Sequence, residues 1–223
     1  MKCIKLYLTM IITLTTILFG FETEKFSAGM YSEFPLSIRV YGKYDLENDN
    51  FLKIRYGYST KYQMESLGNM LELFDWWNSL YSNLLVELCT GMKGVELSFG
   101  TKNFLDKGII ANAGVSLYSL DYNSLGNETI NAVLGTSIPD GSDLNVKGKL
   151  VAMHLSVAKN YQLSQKWSVQ PGINIYYINS FYGVIYSDLA INDQVSYKLN
   201  NWLRNYLEGL ILPTLLVELK YQF

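Results

Sequence analysis

From Leu36 to the last residue, apolar and polar positions alternate singly over one stretch after another. Leu36, Ile38, Val40 and Tyr44 are apolar where Ser37, Arg39 and Lys43 are polar, and Leu52, Ile54, Tyr56 and Tyr58 alternate with Lys53, Arg55 and Gly57. The same period of two runs through residues 95–100, 109–118, 151–158, 167–177 and 214–223. Successive side chains of a strand point to opposite faces, so these stretches predict β-strands with one apolar and one polar face. Residues 26–34 are a further candidate, set apart from 36–44 by Pro35 alone and equal to it in parity. The pair reads as two strands, or as one long bent strand with 181–188 supplying the eighth. Pro171 has no N–H to give to a ladder and predicts a bulge or break in the seventh strand.

Two segments change to a spacing of threes and fours. Met64, Leu67, Met70, Leu71, Phe74, Trp77, Leu80, Tyr81, Leu84, Leu85 and Leu88 predict a helix over 63–88. Leu73, Trp76 and Val86 widen its apolar stripe, and Glu65, Glu72, Asp75 and Glu87 remain for water. Val195, Leu199, Trp202, Leu203 and Tyr206 predict a second helix over 195–207. So broad a stripe needs cover, from the mouth of the fold, a membrane surface or a protein partner. Acidic flanks disfavour the membrane surface. The two helices packed together would form a cap.

The polar faces of the strands carry Gly, Ser, Asn and scattered charge, which is the lining of a narrow barrel whose aliphatic face meets lipid. Connections agree with this. Short polar turns at 45–50, 103–107 and 162–166 alternate with long links at 59–91, 121–145 and 181–210. The expected fold is therefore all-β: an antiparallel transmembrane β-barrel of about eight strands, with helical insertions in two long extracellular loops. Parity turns Arg39, Lys43, Lys53, Arg55, Glu96, His154, Glu218 and Lys220 toward the lumen. Charges there must be paired, and a barrel of about eight strands is filled by its own side chains, so an internal salt-bridge network is expected; an anion-selective path would need a wider barrel. Tyr44, Phe51, Phe104, Tyr161, Trp167, Tyr221 and Phe223 gather near the short turns, where aromatic rings suit a membrane–water boundary.

Composition narrows the class. Of 223 residues, 49% are hydrophobic and only 17% charged, and 18 Tyr with 10 Phe suit strands facing an apolar solvent. Lys2 and Lys5 precede a charge-free apolar run to Phe19, the layout of a Sec-type signal peptide, expected to occupy 1–20 and to leave a barrel of 21–223. That run is short for a spanning helix, which needs about 20 residues. Its removal takes the net charge from -2 to -4, with 16 basic against 20 acidic residues, so nucleic acid is not an expected partner. Cys3 leaves with the leader and Cys89 remains alone, so neither an intramolecular disulfide nor a cysteine metal site is expected. Nothing in the pattern calls for a cofactor.

The chain ends Leu219-Lys220-Tyr221-Gln222-Phe223. A terminal aromatic residue with apolar residues at every second position before it resembles the terminal signal of bacterial outer-membrane β-barrel proteins. That resemblance implies a location in a bacterial outer membrane, contact with its lipid, and reading of Leu219, Tyr221 and Phe223 by the barrel-assembly machinery. His154 and Ser156 share one strand face, as in outer-membrane lipid A deacylases, which add an Asn next and an acidic partner later. Here Val157 stands where the Asn would be, and no Asp or Glu occurs between Ser156 and Phe181. No catalytic residue is assigned. The expected role is structural, surface-interacting or small-ligand-binding, with a protein partner on the 63–88 helix as one form of it. A narrow porin-like channel or transporter for small solutes is the alternative.

Overall fold

The computed structural model describes residues 23–73, 78–105, 107–125, 131, 135, 144–187 and 193–223. The leader expected at 1–20 lies outside the described residues. Eight long strands, β1 (Phe26–Phe34), β2 (Ser37–Asp45), β3 (Asn50–Tyr58), β4 (Lys93–Phe104), β5 (Ile109–Leu125), β6 (Leu144–Lys159), β7 (Trp167–Ser187) and β8 (Ile211–Gln222), pair antiparallel in sequence order. β8 pairs back onto β1, with Met30 opposite Leu219, so the sheet closes into an eight-stranded barrel. Below the last β1–β8 pair, Phe34–Leu215, closure leaves the barrel wall no free edge.

β1 and β2 are separate strands, not one bent one. Their partners are Tyr31 with Arg39 and Glu33 with Ser37. The separations are even, so odd positions face inward on both sides of the turn, and alternation alone cannot reveal the reversal. The stretch after Phe181 continues β7. The ladder between β6 and β7 stops at Ala158–Gly172 and resumes where Tyr161 pairs with Val169 and Gln162 with Ser168, leaving a gap opposite Pro171. On its other side Pro171 sits in unbroken register with Val217. The one register shift between β6 and β7 falls higher, where Val151 pairs with Ser180 and Ala152 with Ile178.

Three strands rise well above the rest. β5, β6 and β7 are 17, 16 and 21 residues long, against nine for β1, β2 and β3. The long links are accordingly shorter than alternation predicts, since 121–125, 144–145 and 181–187 are strand. The inner face turns from polar to apolar along all three strands, and on β5 and β6 the outer face turns from apolar to polar. In the lower part Val115, Leu117, Met153, Leu155, Ile173 and Ile175 face outward, while Asn112, Ser116, His154, Ser156 and Asn174 are buried inside. In the upper part Ser119, Asp121, Lys147 and Lys149 face outward, and Leu120, Val146, Leu150, Ile178 and Phe181 are buried. Strand prediction fades above Tyr118 because the apolar face changes sides there.

The raised wall is bracketed by helices α1 (Lys61–Leu73), α2 (Ser79–Cys89) and α3 (Asp193–Leu207). The single helix expected over 63–88 is thus two helices; 74–77 lie outside the described residues. α1 opens with a capping box: Gln63 N–H donates to Thr60 Oγ1 (3.2 Å) and Thr60 N–H to Gln63 Oε1 (3.1 Å). α2 has its own N-cap, Asn78 Oδ1, which accepts from Tyr81 N–H at 3.0 Å. The apolar period runs on through Phe74 and Trp77, which hides this restart from a periodicity count. α1 packs against α2 with Gly68 facing Ser82 and Val86. Among the described residues no helix is long and apolar enough to cross a membrane.

α3 covers the upper edge of β7, which β8 leaves unpaired above Tyr177–Ile211. There Ile178 N–H donates to Leu210 O (3.0 Å), Phe181 N–H to Glu208 Oε1 (3.1 Å) and Gly183 N–H to Asn200 Oδ1 (3.2 Å). Three backbone N–H groups on the open edge of the tall strand are thereby satisfied. Tyr81, Trp202 and Tyr206 form a three-ring contact between α2 and α3, with centroids 5.0–5.4 Å apart.

Candidate functional site

The barrel interior is built in layers, read here from the short-turn end upward. Lys43 pairs with Asp45 at 3.1 Å, and Asp45 also meets Lys102 at 2.9 Å. Phe51, expected among the boundary aromatics, instead points inward. Its neighbour Leu52 takes the outward position, and the Lys43 ammonium lies 4.4 Å over the Phe51 ring. Phe51, Ile110, Ala158 and Leu216 form a small apolar patch at this end. Lys220 is half-buried. One step higher Lys53 pairs with Glu218 and sits 4.4 Å over the Tyr41 ring.

Two carboxylates organise the middle. Glu96 on β4 accepts from Arg39 Nη1 (2.7 Å), from Arg55 Nη1 and from Ser116 Oγ (3.0 Å), and lies 3.2 Å from the Tyr176 hydroxyl oxygen. Glu33 on β1 accepts from Asn174 Nδ2 and Thr214 Oγ1 (both 2.7 Å) and from the Tyr176 hydroxyl (2.8 Å), and lies 3.3 Å from Arg39 Nη2. Arg39 also donates to the Tyr118 hydroxyl (2.6 Å) and to Ser37 Oγ (2.6 Å). Both glutamates and both arginines are at most 2% exposed. Taking such charges from water is costly, and only paired charges with their remaining hydrogen bonds filled offset that cost. The cross-strand register brings them together, since Arg55 stands opposite Glu96 and Glu96 opposite Ser116.

His154 is buried beside this cluster, its Nδ1 3.3 Å from Ser116 Oγ and its Nε2 3.2 Å from Glu96 Oε1. Gly114 makes room for it, because a Cβ there would lie 2.6 Å from the imidazole. The serine next to His154 is therefore Ser116 on the neighbouring strand, and Ser156 is buried elsewhere on the same face. Ser, His and Glu in a row resemble a nucleophile relay. Glu96, however, is held by two arginines, and all three side chains lie at most 2% exposed, which leaves no approach for a substrate. Among the described residues no three His, Cys, Asp or Glu are placed to hold a metal.

Above Tyr118 and Tyr176 the interior becomes apolar. The two rings are the floor of a cluster that includes Leu36, Met64, Leu71, Leu84, Leu88, Met92, Leu150, Phe181, Leu203 and Leu207. Their hydroxyls reach down into the ion-pair layer. The apolar stripes of α1, α2 and α3 are thus spent on the barrel mouth and the raised wall, while Tyr62 and Leu73 remain on the outer surface of the cap. Cys89 is buried in the same cluster, and burial pushes its thiol up to about 12.

At the opposite end Leu219 and Phe223 are exposed and Tyr221 is half-buried. Tyr221 packs on Trp167 (4.9 Å) and on Phe223 (5.1 Å), and Phe223 on Phe26 (5.8 Å). The sequence pattern placed Asn174 and Thr214 on the polar strand faces but missed Glu33 and Tyr31 as parts of the interior network. One signal was available: Glu33 shares parity with Ser27 and Tyr31 and is the only acid of its strand.

Among solved structures, the chain is similar to Acinetobacter baumannii CarO2 at 14% identity, covering 89% of this chain and 98% of that one with a TM-score of 0.34. It is also similar to a major outer membrane protein from Thermus thermophilus, at 14% identity, with the same coverage and a TM-score of 0.46. A third similar structure, Acinetobacter baumannii CarO, has 10% identity, covers 88% and 97%, and has a TM-score of 0.34. No family model matches the sequence, and no curated protein matches it.

Proposed function

We propose that this chain is an exported outer-membrane β-barrel with a closed lumen, whose role is to hold a helical cap at the cell surface rather than to conduct solutes. The observation that carries this reading is the reversal of polarity along β5 and β6, which the inner face of β7 shares. A wall that is aliphatic outside and polar inside is suited to hydrocarbon, and one that is polar outside and apolar inside is suited to water. On β5 the outward-apolar stretch runs from Ile109 to Leu117, close to the roughly 9–11 residues a tilted strand needs to cross a bilayer. The short turns then face the periplasm and the capped end faces outward. Outer-membrane lipid surrounds the aliphatic belt, and Leu219, Tyr221 and Phe223 serve recognition by the assembly machinery.

Two successive seals support closure. The ion-pair layer fills the middle of the barrel, and the apolar cluster under the helices fills its mouth. A protein partner would meet the outer surface of the cap, where Tyr62, Leu73 and Tyr197 are exposed. Conductance in planar bilayers tests closure. The purified barrel is expected to show no steady conductance, and a stable ohmic step per inserted molecule would reinstate the narrow channel.

A further inference from the structure

The rim of the barrel is open at one seam. The last pair between β1 and β8 is Phe34–Leu215, whereas β8 continues to Ile211 in partnership with β7. The edge of β8 above Leu215 therefore has no strand partner on the β1 side, and Pro213 sits in this stretch without an N–H, as suits an unpaired edge. An apolar cavity of about 240 Å³ occupies the seam, between this edge, Leu36 and the α1 side chains Leu67, Met70 and Leu71. Its wall includes Leu212, which points inward, and Pro213, which points outward. A cavity touches both faces of one strand only where the edge of that strand is uncovered. A second, smaller apolar cavity of about 50 Å³ shares Leu36, Leu67, Leu71 and Leu212 with it and reaches Tyr118 and Tyr176.

We infer that this seam takes one acyl chain of a bilayer lipid, inserted sideways from the outer leaflet between β8 and α1. The inference rests on the membrane reading above. Among the described residues Thr214 is the one polar side chain on the larger cavity, and its hydroxyl is committed to Glu33 at 2.7 Å. Nothing there recognises a headgroup or a carboxylate, so the occupant is hydrocarbon. Exposed Ile211 and Leu215 flank Pro213 on the outer face of β8, at the upper margin of the aliphatic belt, so the hydrocarbon nearest to the opening belongs to the surrounding lipid. An apolar cavity of roughly 150 Å³ already stays dry and binds benzene, and an empty one forfeits dispersion contacts along its whole lining.

The test is photolabelling of the full-length barrel in phosphatidylcholine bilayers that contain phosphatidylcholine with a diazirine near the end of one acyl chain. Adducts are expected on the buried residues Leu36, Leu67 or Leu71, in addition to belt residues such as Leu215 and Val217. Met70→Trp, which fills the cavity from a half-buried position, is expected to cut the buried adducts at least fivefold and leave the belt adducts unchanged. If that variant does not fold, the wild-type map decides by itself. Adducts confined to the belt overturn the acyl-chain site and leave the membrane reading standing. Labelling of Leu67 or Leu71 by a free diazirine fatty acid but not by the lipid overturns the assigned occupant. Absence of label from the belt as well overturns both.

Discussion

Glu96 and Glu33 are each the shared acceptor for several buried donors. Replacing Glu96 with Ala takes from buried Arg55 its carboxylate partner and leaves Arg39 with Glu33 alone. Breaking a buried pair in this way costs about 3–5 kcal/mol, so Glu96→Ala is expected to lower the urea midpoint of the heat-modifiable gel band sharply, and an unchanged midpoint would mean the cluster is hydrated. Cys89 gives an independent reading of the cap. Its thiol is buried and held protonated well above neutrality, so a maleimide is expected to react with the folded protein at least a hundredfold more slowly than with the urea-unfolded chain. Comparable rates would mean that the helices do not cover the mouth. Parity made most of the interior charges legible, since Arg39, Lys53, Arg55, Glu96 and Glu218 all follow from their strand faces. Which charge meets which depends on register across strands far apart in sequence, and a pattern read along one strand carries no such information.

At the scale of elements, the turns and the helices show where sequence signals run out. The β1–β2 hairpin was ambiguous because its pairing preserves parity, and the α1–α2 break was hidden because apolar spacing continues across it. Asn78, a good N-cap residue, was the local clue. The clamp of α3 on β7 has a pH signature. Glu208 accepts from Phe181 N–H and from Arg204, and the first of these bonds leads in holding its carboxyl below the usual range. A lowered folded-state value stabilises above the unfolded-state value, about 4.3 for Glu, and that contribution is lost as the pH falls through the lowered one. Hydrogen exchange of the Phe181 amide is therefore expected to be protected at neutral pH and to lose protection, relative to Ile175 in mid-barrel, as the pH drops below about 4. Glu208→Ala should remove the Phe181 protection at neutral pH as well; protection unchanged by pH in the unaltered protein would show that the clamp does not depend on the carboxylate.

For the whole molecule, the wall exchanges its apolar and polar faces partway up. Below Tyr118 and Tyr176 it is aliphatic outside around a charged filling; above them it is charged outside around an aliphatic filling closed by three helices. The lower half was plain in the sequence, because an outward aliphatic face repeats on strand after strand. The upper half was not, because the same strands continue with their faces exchanged and read as loop. A single-cysteine scan along the outward face of β5, in a Cys89→Ser background with a polarity-sensitive fluorophore, tests this most directly. In bilayers, labels at Val115 and Leu117 are expected to emit as in hydrocarbon and to be quenched by chain-borne nitroxides. Labels at Ser119 and Asp121 are expected to emit as in water and to be quenched by iodide. A water-like signal at all four positions would contradict a membrane barrel.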